Sequence, residues 1–521
     1  MPPVMNLGRL LTHAAQRFAD RPGLVQGDRV WSWAELDRRV DAAVVALRAR
    51  GYGKGTKLLV QARNGNALFE SQFVAFKLGA VWVPTNFRLT PPEVAYLAGS
   101  SGASVMLYDT GFEAHVEAAK AAQPALDLVL SIGPPRPGEV AWDALIAEAG
   151  ATTPDLEAEV AYDDPLWFFY TSGTTGRPKA AMLTHGQMAF VVNNHLTDLM
   201  PGTTEDDASL VVAPLSHGAG IHALAQVARG VKNVLMPGER LEVEEAWRLV
   251  EAHRVTNMFT VPSIVKLLVE HDAVDRVDHS SLRHVIYAGA PMYRADQKRA
   301  LHKLGKVLVQ YFGLGEVTGN ITVLPPHLHA LEDDEDLPIG SCGYARTGME
   351  IAILDGAGIR LRARETGEIC VRGPAVFAGY YNNPEANAKA FAHGWFHTGD
   401  LGYLDAKGFL YITGRASDMY ISGGSNVYPR EIEELLLTHP DVAEAAVLGM
   451  PDPKWGETGV AVLVARTGAT IDPAAVLAGL EGRLARYKYP SRIVIWPDLP
   501  KSGYGKVPKN LVRQRLLETG E

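Results

Sequence analysis

Tyr170-Thr-Ser-Gly-Thr-Thr-Gly-Arg-Pro-Lys179 follows an apolar run ending at Phe168, Phe169 and Tyr170. A short apolar run that breaks into glycines and hydroxyls reads as a strand feeding a ligand-binding loop. Gly173 and Gly176 let the backbone come close to a ligand and take φ > 0. Thr171, Ser172, Thr174 and Thr175 offer hydroxyl donors, and Lys179 adds a point charge. Such a loop can wrap an anion. It is not a Walker A loop, because Gly-x4-Gly-Lys-Ser/Thr is absent. Two hydroxyl pairs, two glycines and a terminal lysine within ten residues also argue against a plain surface turn.

On both sides of this decapeptide the chain alternates helical and strand patterns. Trp33 to Arg50 carries Leu36, Val40, Val44 and Leu47 at helical spacing. Lys57 to Gln61 reads as a strand, about Ala67 to Leu78 as a helix, and Val81 to Val83 and Val105 to Tyr108 as strands. The runs 209–214, 233–237 and 283–289 continue the rhythm, and Gly or Pro closes or follows each. Alternation of this kind predicts an α/β fold with mainly parallel sheets covered on both faces. Ligand loops are expected where the strands end.

The style changes after about residue 340. Met349 to Asp355, Gly367 to Arg372 and Phe409 to Thr413 are short strands between Gly-rich turns, which predicts a β-rich subdomain. Pro429 then opens a helix, Glu444 to Met450 forms a strand, and Pro473 to Leu484 forms a helix capped by Asp472. The division expected is 1–414 as a large N-terminal domain, 415–418 as a hinge and 419–521 as a small mobile α+β domain.

Composition narrows the function. Among 521 residues, 50 Lys+Arg against 59 Asp+Glu give a net charge of −9, which argues against a nucleic-acid partner. No run reaches the ~18 apolar residues of a membrane span, and Met1 to Leu11 lacks the pattern of a secretory signal. Cys342 and Cys370 suit a reducing, cytoplasmic setting and cannot build a disulfide framework. Basic charge is nevertheless concentrated: Arg483 to Arg515 holds nine Lys and Arg against Asp498 alone. This suggests a face that meets a polyanion such as a triphosphate or a coenzyme phosphate.

At the decapeptide the chain resembles the acyl-CoA synthetase branch of the adenylate-forming superfamily, which also holds peptide-synthetase adenylation domains and luciferases. Further segments match in order: Pro214-Leu-Ser-His217, Ala288-Gly289-Ala290-Pro291, Phe312-Gly313-Leu-Gly-Glu316, Thr398-Gly-Asp400, Gly414-Arg415-Ala-Ser-Asp418, Ser422-Gly423-Gly424 and Pro500-Lys-Ser-Gly-Tyr-Gly-Lys506. The resemblance implies a ligase that couples a carboxylic acid to ATP, releases pyrophosphate and passes the acyl group to coenzyme A.

It also implies roles for individual residues. Thr171 to Gly176 and Lys179 would hold phosphates, and Glu316 would ligate Mg²⁺, a hard cation that prefers oxygen. Phe312 would stack on adenine beside Gly289, Ala290 and Pro291, with Gly313 next to it. Asp400 would take the ribose hydroxyls and Arg415 would add ribose or phosphate contacts. Lys506 would neutralise charge developing at the α-phosphate. His217 would line the acyl or thiol path, and Gly423 and Gly424 the pantetheine tunnel once the small domain turns about 415–418.

The chain departs from the family pattern at two places. Gly315 stands where threonine is usual, removing a hydroxyl whose bond to a phosphate would be worth ~1.5–3 kcal/mol; Thr318 is near enough in sequence to replace it. Ser417 stands where Asp or Lys is common.

Other readings compete with the coenzyme A ligase. Transfer of the acyl group to an amine is a second outcome of the same adenylate. Gly218-Ala-Gly220-Ile-His-Ala223, with Glu239 further on, fits a dinucleotide fingerprint and a dehydrogenase, but leaves residues 170–179, 398–400 and 500–506 without roles. The acid should lie among 190–194, 217–223, 287–292 and 312–319, where small residues would leave an apolar volume. These stretches contain no Lys or Arg, which favours a medium-length or aromatic monocarboxylate. A homodimer is left open.

Overall fold

The computed structural model describes all residues except 1–2, 150–155, 172–176, 239, 291, 333–338, 423–424, 502–506 and 521. Two seven-stranded sheets dominate it. The first runs Lys179–Thr184, Pro165–Thr171, Val81–Pro84, Lys57–Gln61, Val105–Asp109, Leu128–Ile132, Val140–Ala141. All its pairings are parallel except the edge pair, where Pro165–Thr171 and Lys179–Thr184 run antiparallel with Thr171 opposite Lys179. The second runs Leu308–Gln310, His284–Tyr287, Asn257–Thr260, Ala208–Val211, Lys232–Leu235, Pro22–Gln26, Arg29–Ser32, and only its last pair is antiparallel.

Strands of this kind are buried on both faces, so their sequences read as continuous apolar runs. The helices between them cover the faces. Trp33–Ala49 starts where Ser32 Oγ accepts from Glu35 N–H, and it buries the expected stripe Leu36, Val40, Val44 and Leu47. Asn66–Leu78 ends at Gly79, whose φ of 69° closes the last turn through bonds to Ala75 and Phe76 carbonyls.

A third, antiparallel sheet joins Glu350–Leu354, Gly367–Arg372, Phe396–Leu404 and Leu410–Arg415. It is the β-rich part expected after residue 340. Beyond residue 419 the strands belong to a separate five-stranded sheet built on the hairpin Val442–Asp452 and Gly456–Ala465.

That last unit differs from expectation in two respects. The helix from Pro473 stops at Ala478 rather than Leu484, and the chain goes on in turns through Gly482 (φ 71°); Asp472 does cap it, accepting from Ala474 N–H. The basic stretch is also partly neutralised. Lys488 pairs with Glu431 at 2.6 Å, Lys501 with Glu444 at 2.9 Å and Arg515 with Asp498 at 3.4 Å. Lys509 Nζ reaches Glu433 Oε1 at 2.7 Å and the Val447 carbonyl at 2.8 Å, while the same carboxylate oxygen accepts from Val447 N–H. This clamp pins the final helix, Lys509–Thr519, to the sheet. Among the described residues, no helix is long and apolar enough to cross a membrane.

Candidate active site

The loops that leave the C-terminal ends of the second sheet carry several of the expected residues. Pro214–His217 follows Ala208–Val211, Gly289 and Ala290 follow His284–Tyr287, and Phe312–Glu316 follows Leu308–Gln310. This is where open α/β sheets place ligands. Gly289 has φ 83°, so the turn there needs glycine.

Segment 312–322 folds back on itself. Phe312 N–H donates to Thr322 Oγ1 and Ile321 N–H to the Phe312 carbonyl, and a Cβ on Gly313 would overlap the Gly319 backbone. Thr322 Oγ1 donates in turn to the Cys342 carbonyl at 2.6 Å. Phe312 and Glu316 are therefore presented by a tightly braced loop.

Glu316 is the focus of the site. Its side chain is buried, and Oε1 accepts from Thr171 Oγ1 at 2.8 Å and from the Tyr380 hydroxyl at 3.0 Å. Lys179 Nζ lies 4.4 Å from the centre of the Tyr380 ring, a cation–π contact. Burial, reinforced by the Glu316 charge, pushes the Tyr380 phenol well above its ordinary value, so it stays a donor. Thr171 thus meets the carboxylate from the loop 312–322 directly, and Lys179, opposite Thr171 in the hairpin, lies against the tyrosine that also holds it.

A second pair sits on the third sheet. Asp400 and Arg415 face each other across neighbouring strands, and Arg415 Nε donates to Asp400 Oδ1 at 3.0 Å. Asp400 is buried and Arg415 half exposed. Thr398 Oγ1 steadies the turn by donating to the Ile369 carbonyl and accepting from Asp400 N–H. One carboxylate oxygen is thereby engaged within the chain.

His217 occupies the N-cap position of the helix Gly218–Arg229, and its ring packs at a tilt against Phe169, 4.5 Å between ring centres. The same Phe169 explains Gly315. A Cβ at 315 would come within 2.6 Å of the Phe169 ring and 2.9 Å of Thr171 Cγ2, so a side chain has no room there. Thr318, in the left-handed region at φ 52°, gives its hydroxyl proton to the Val317 carbonyl at 2.6 Å. It is not poised to stand in for the missing hydroxyl.

The Gly218–Gly220 fingerprint also has a packing cause. A Cβ on Gly218 would fall 2.7 Å from Phe259, and one on Gly220 would overlap the Leu215 carbonyl. These glycines admit neighbouring groups; they do not open the apolar volume expected there.

Ser172, Gly173, Thr174, Thr175, Gly176, Pro291, Gly423, Gly424, Lys506 and Glu239 lie outside the described residues. Sequence reasoning missed Tyr380. It sits in a connection without periodicity, bridged to Ala181 of the decapeptide's own hairpin.

Comparison with known proteins agrees with this arrangement. Residues 11–381 match the AMP-binding enzyme family, and residues 431–506 match the AMP-binding enzyme C-terminal domain. The chain is 35% identical to indoleacetate–CoA ligase of Aromatoleum aromaticum over 489 residues, covering 94% of this chain and 93% of the relative. It is 38% identical to feruloyl-CoA synthase of an Amycolatopsis species over 498 residues, 94% and 95% of the two chains. Among solved structures, amide bond synthetase McbA from Marinactinospora thermotolerans superimposes with a TM-score of 0.89 at 27% identity, covering 98% and 99%. With the large unit, the small unit and the Glu316 constellation all in place, the chain belongs to the AMP-binding enzyme family, as an AMP-forming acid–CoA ligase.

Proposed function

We propose that the protein activates an aromatic or medium-length monocarboxylic acid in two steps. In the first, a carboxylate oxygen attacks the α-phosphorus of ATP, the bond to the bridging oxygen breaks, and pyrophosphate leaves. In the second, the thiol of coenzyme A loses its proton, its sulfur attacks the acyl carbon, and AMP departs. The first step replaces an oxide, a poor leaving group, by AMP, a good one. It moves charge between oxyanions, so positioning and counter-charge are what the protein must supply.

The observation that supports this reading is the convergence of the Thr171 and Tyr380 hydroxyls on Glu316, with Lys179 over the Tyr380 ring. With Oε1 held by two hydroxyls, Glu316 is oriented as a single oxygen ligand. One carboxylate together with phosphate oxygens is the usual donor set for Mg²⁺, which would neutralise the phosphates. Ser172 to Gly176 and Lys179 hold the phosphate chain, Phe312 stacks on adenine beside Gly289, Ala290 and Pro291, and Asp400 with Arg415 holds the ribose. Lys506 meets the α-phosphate in the first step. The small unit 419–521 then turns about 415–418, and Gly423 and Gly424 line the thiol's path. The two relatives named for indoleacetate and feruloyl-CoA favour an aromatic acid.

A panel of aromatic and aliphatic acids, scored by pyrophosphate release with and without coenzyme A, tests the reading. Aromatic acids should release pyrophosphate and give a thioester by mass. Amide formation with a supplied amine, and none with coenzyme A, would move the reaction to the other acceptor. No release with any acid would end the proposal. Lys506→Ala should lose adenylate formation yet still make thioester from supplied acyl-adenylate.

A further inference from the structure

Tyr380 holds Glu316, so whatever holds Tyr380 decides where that carboxylate points. Segment 377–381 runs beside Lys179–Thr184. Ala378 N–H donates to the Met182 carbonyl, Met182 N–H to the Gly379 carbonyl and Tyr381 N–H to the Ala180 carbonyl, at 2.9–3.1 Å. Tyr380 is bridged to Ala181 between these bonds, as the pair that exchanges none. Its own N–H and C=O therefore point away from that strand. Tyr380 is buried, and both groups need partners.

Asn387 supplies them. Tyr380 N–H donates to Asn387 Oδ1 at 2.6 Å, and Asn387 Nδ2 donates to the Tyr380 carbonyl at 3.0 Å. The N–H can only donate and the carbonyl only accept, which fixes the orientation of the amide. One side chain thus does for Tyr380 what a neighbouring strand would do. Gly379, at φ 114°, leaves the room: a Cβ there would lie 3.1 Å from Asn387 Oδ1.

The helix that carries Asn387, Pro384–Ala390, is itself anchored. Asn383 Oδ1 accepts from Ala386 N–H at its start. At its end Phe391 stacks on Phe377, 5.3 Å between ring centres, and Phe377 N–H donates to the Glu316 carbonyl at 2.8 Å. Glu316 is therefore tied to this segment twice, at its backbone through Phe377 and at its carboxylate through the Tyr380 hydroxyl. The second tie is the sensitive one. The hydroxyl stands at the far end of the ring, where a small turn of the Tyr380 backbone carries it out of hydrogen-bond reach.

We propose that Asn387 is a positioning residue for adenylate formation: it locks the Tyr380 backbone so that the phenol stays on Glu316 and the ring stays beneath Lys179. Asn387 acts on the carboxylate only through Tyr380. This rests on the reading of Glu316 as the Mg²⁺ ligand.

Mn²⁺ serves as the probe. Its binding to the ATP-loaded enzyme, with no acid present, is read from the resonance of the free ion, and pyrophosphate release at saturating acid gives the Mg²⁺ concentration for half-maximal rate. Asn387→Ala removes both bonds. Asn387→Asp keeps the size and the acceptor but sets an oxygen against the Tyr380 carbonyl. Each should weaken Mn²⁺ binding and raise the Mg²⁺ requirement about threefold or more, without exceeding Tyr380→Phe. Made in the Tyr380→Phe enzyme, the same changes should alter either quantity less than about twofold. A residue that only braced the fold would cost the same in both backgrounds, which overturns the proposal. An Asn387→Asp enzyme with the wild-type unfolding midpoint in urea and wild-type Mn²⁺ binding overturns it too. Glu316→Gln checks the underlying reading separately. If that variant binds Mn²⁺ as the wild type does, Glu316 is not the ligand and the proposal falls with it; if it loses Mn²⁺ while both Asn387 variants keep it, the positioning role alone fails.

Discussion

Replacing Tyr380 by phenylalanine isolates one hydroxyl. The ring is buried, stands edge-on to Phe377 at 4.8 Å and lies beneath Lys179 Nζ at 4.4 Å; phenylalanine keeps both contacts. What disappears is the donor to Glu316 Oε1 at 3.0 Å. A hydrogen bond to a charged group is worth about 1.5–3 kcal/mol. At 1.36 kcal/mol per factor of ten, kcat/KM for adenylate formation should drop roughly ten- to hundredfold. The Mg²⁺ concentration for half-maximal rate should rise as well, because the carboxylate is less firmly aimed. Pyrophosphate release at saturating acid, with Mg²⁺ stepped, reads both quantities. Thr171 donates to the same oxygen at 2.8 Å, so Thr171→Val and Tyr380→Phe should not be additive when combined. A Tyr380→Phe enzyme within twofold of the wild type in rate and Mg²⁺ response would refute the argument that this hydroxyl positions Glu316.

Three other expectations concern separate parts of the molecule. Gly315→Ala forces a methyl against Phe169 and Thr171 and should destabilise by about 1–3 kcal/mol in urea unfolding; Gly315→Thr should lose further activity, and a faster Gly315→Thr enzyme would contradict the packing argument. Asp400→Asn would weaken the proposed ribose contact and should raise KM for ATP about tenfold or more, with little change in KM for the acid; an unaltered ATP KM would refute the proposed role of Asp400. Burial pushes His185, His222, His284 and His329 down to about 4, so the folded form keeps them neutral while the unfolded chain takes up protons as pH falls through about 6.5. Stability should therefore be level above that pH and decline from there toward pH 4, each group contributing up to about 3 kcal/mol by the lower end; His329→Gln should lessen the decline, and an unfolding midpoint constant from pH 7 to 4.5 would show the premise false.

Periodicity located the parallel sheets because their strands are buried on both sides and leave an unmistakable apolar run. Lys57–Gln61 falls where it was expected, as does Gly367–Arg372 of the antiparallel sheet. The ends of helices were less legible: the stripe after Pro473 continues in sequence, but the helix ends at Ala478 and the chain goes on in turns. Of the residues that the ordered motifs single out, Thr171 and Glu316 meet directly, and Lys179 lies opposite Thr171 in the hairpin. Tyr380 could not be named in advance, since it acts through a partner far away in the chain, Glu316. The same limit applies to Gly315. Its missing side chain looked like a lost phosphate donor, whereas the cause is a ring supplied by a strand nearly 150 residues earlier. Charge counting along 483–515 likewise could not see Glu431, Glu433 and Glu444 arriving from other elements.

The Lys509 clamp makes the final helix a usable reporter. Because Lys509 is fastened to Glu433 and Val447, and Val512 and Leu516 are buried beneath the helix, a dye attached at the exposed Leu517 would ride with the small unit instead of wandering on a loose tail. Paired with a second dye on the large unit, it would turn the proposed turning of the small unit into a distance, legible one molecule at a time during turnover.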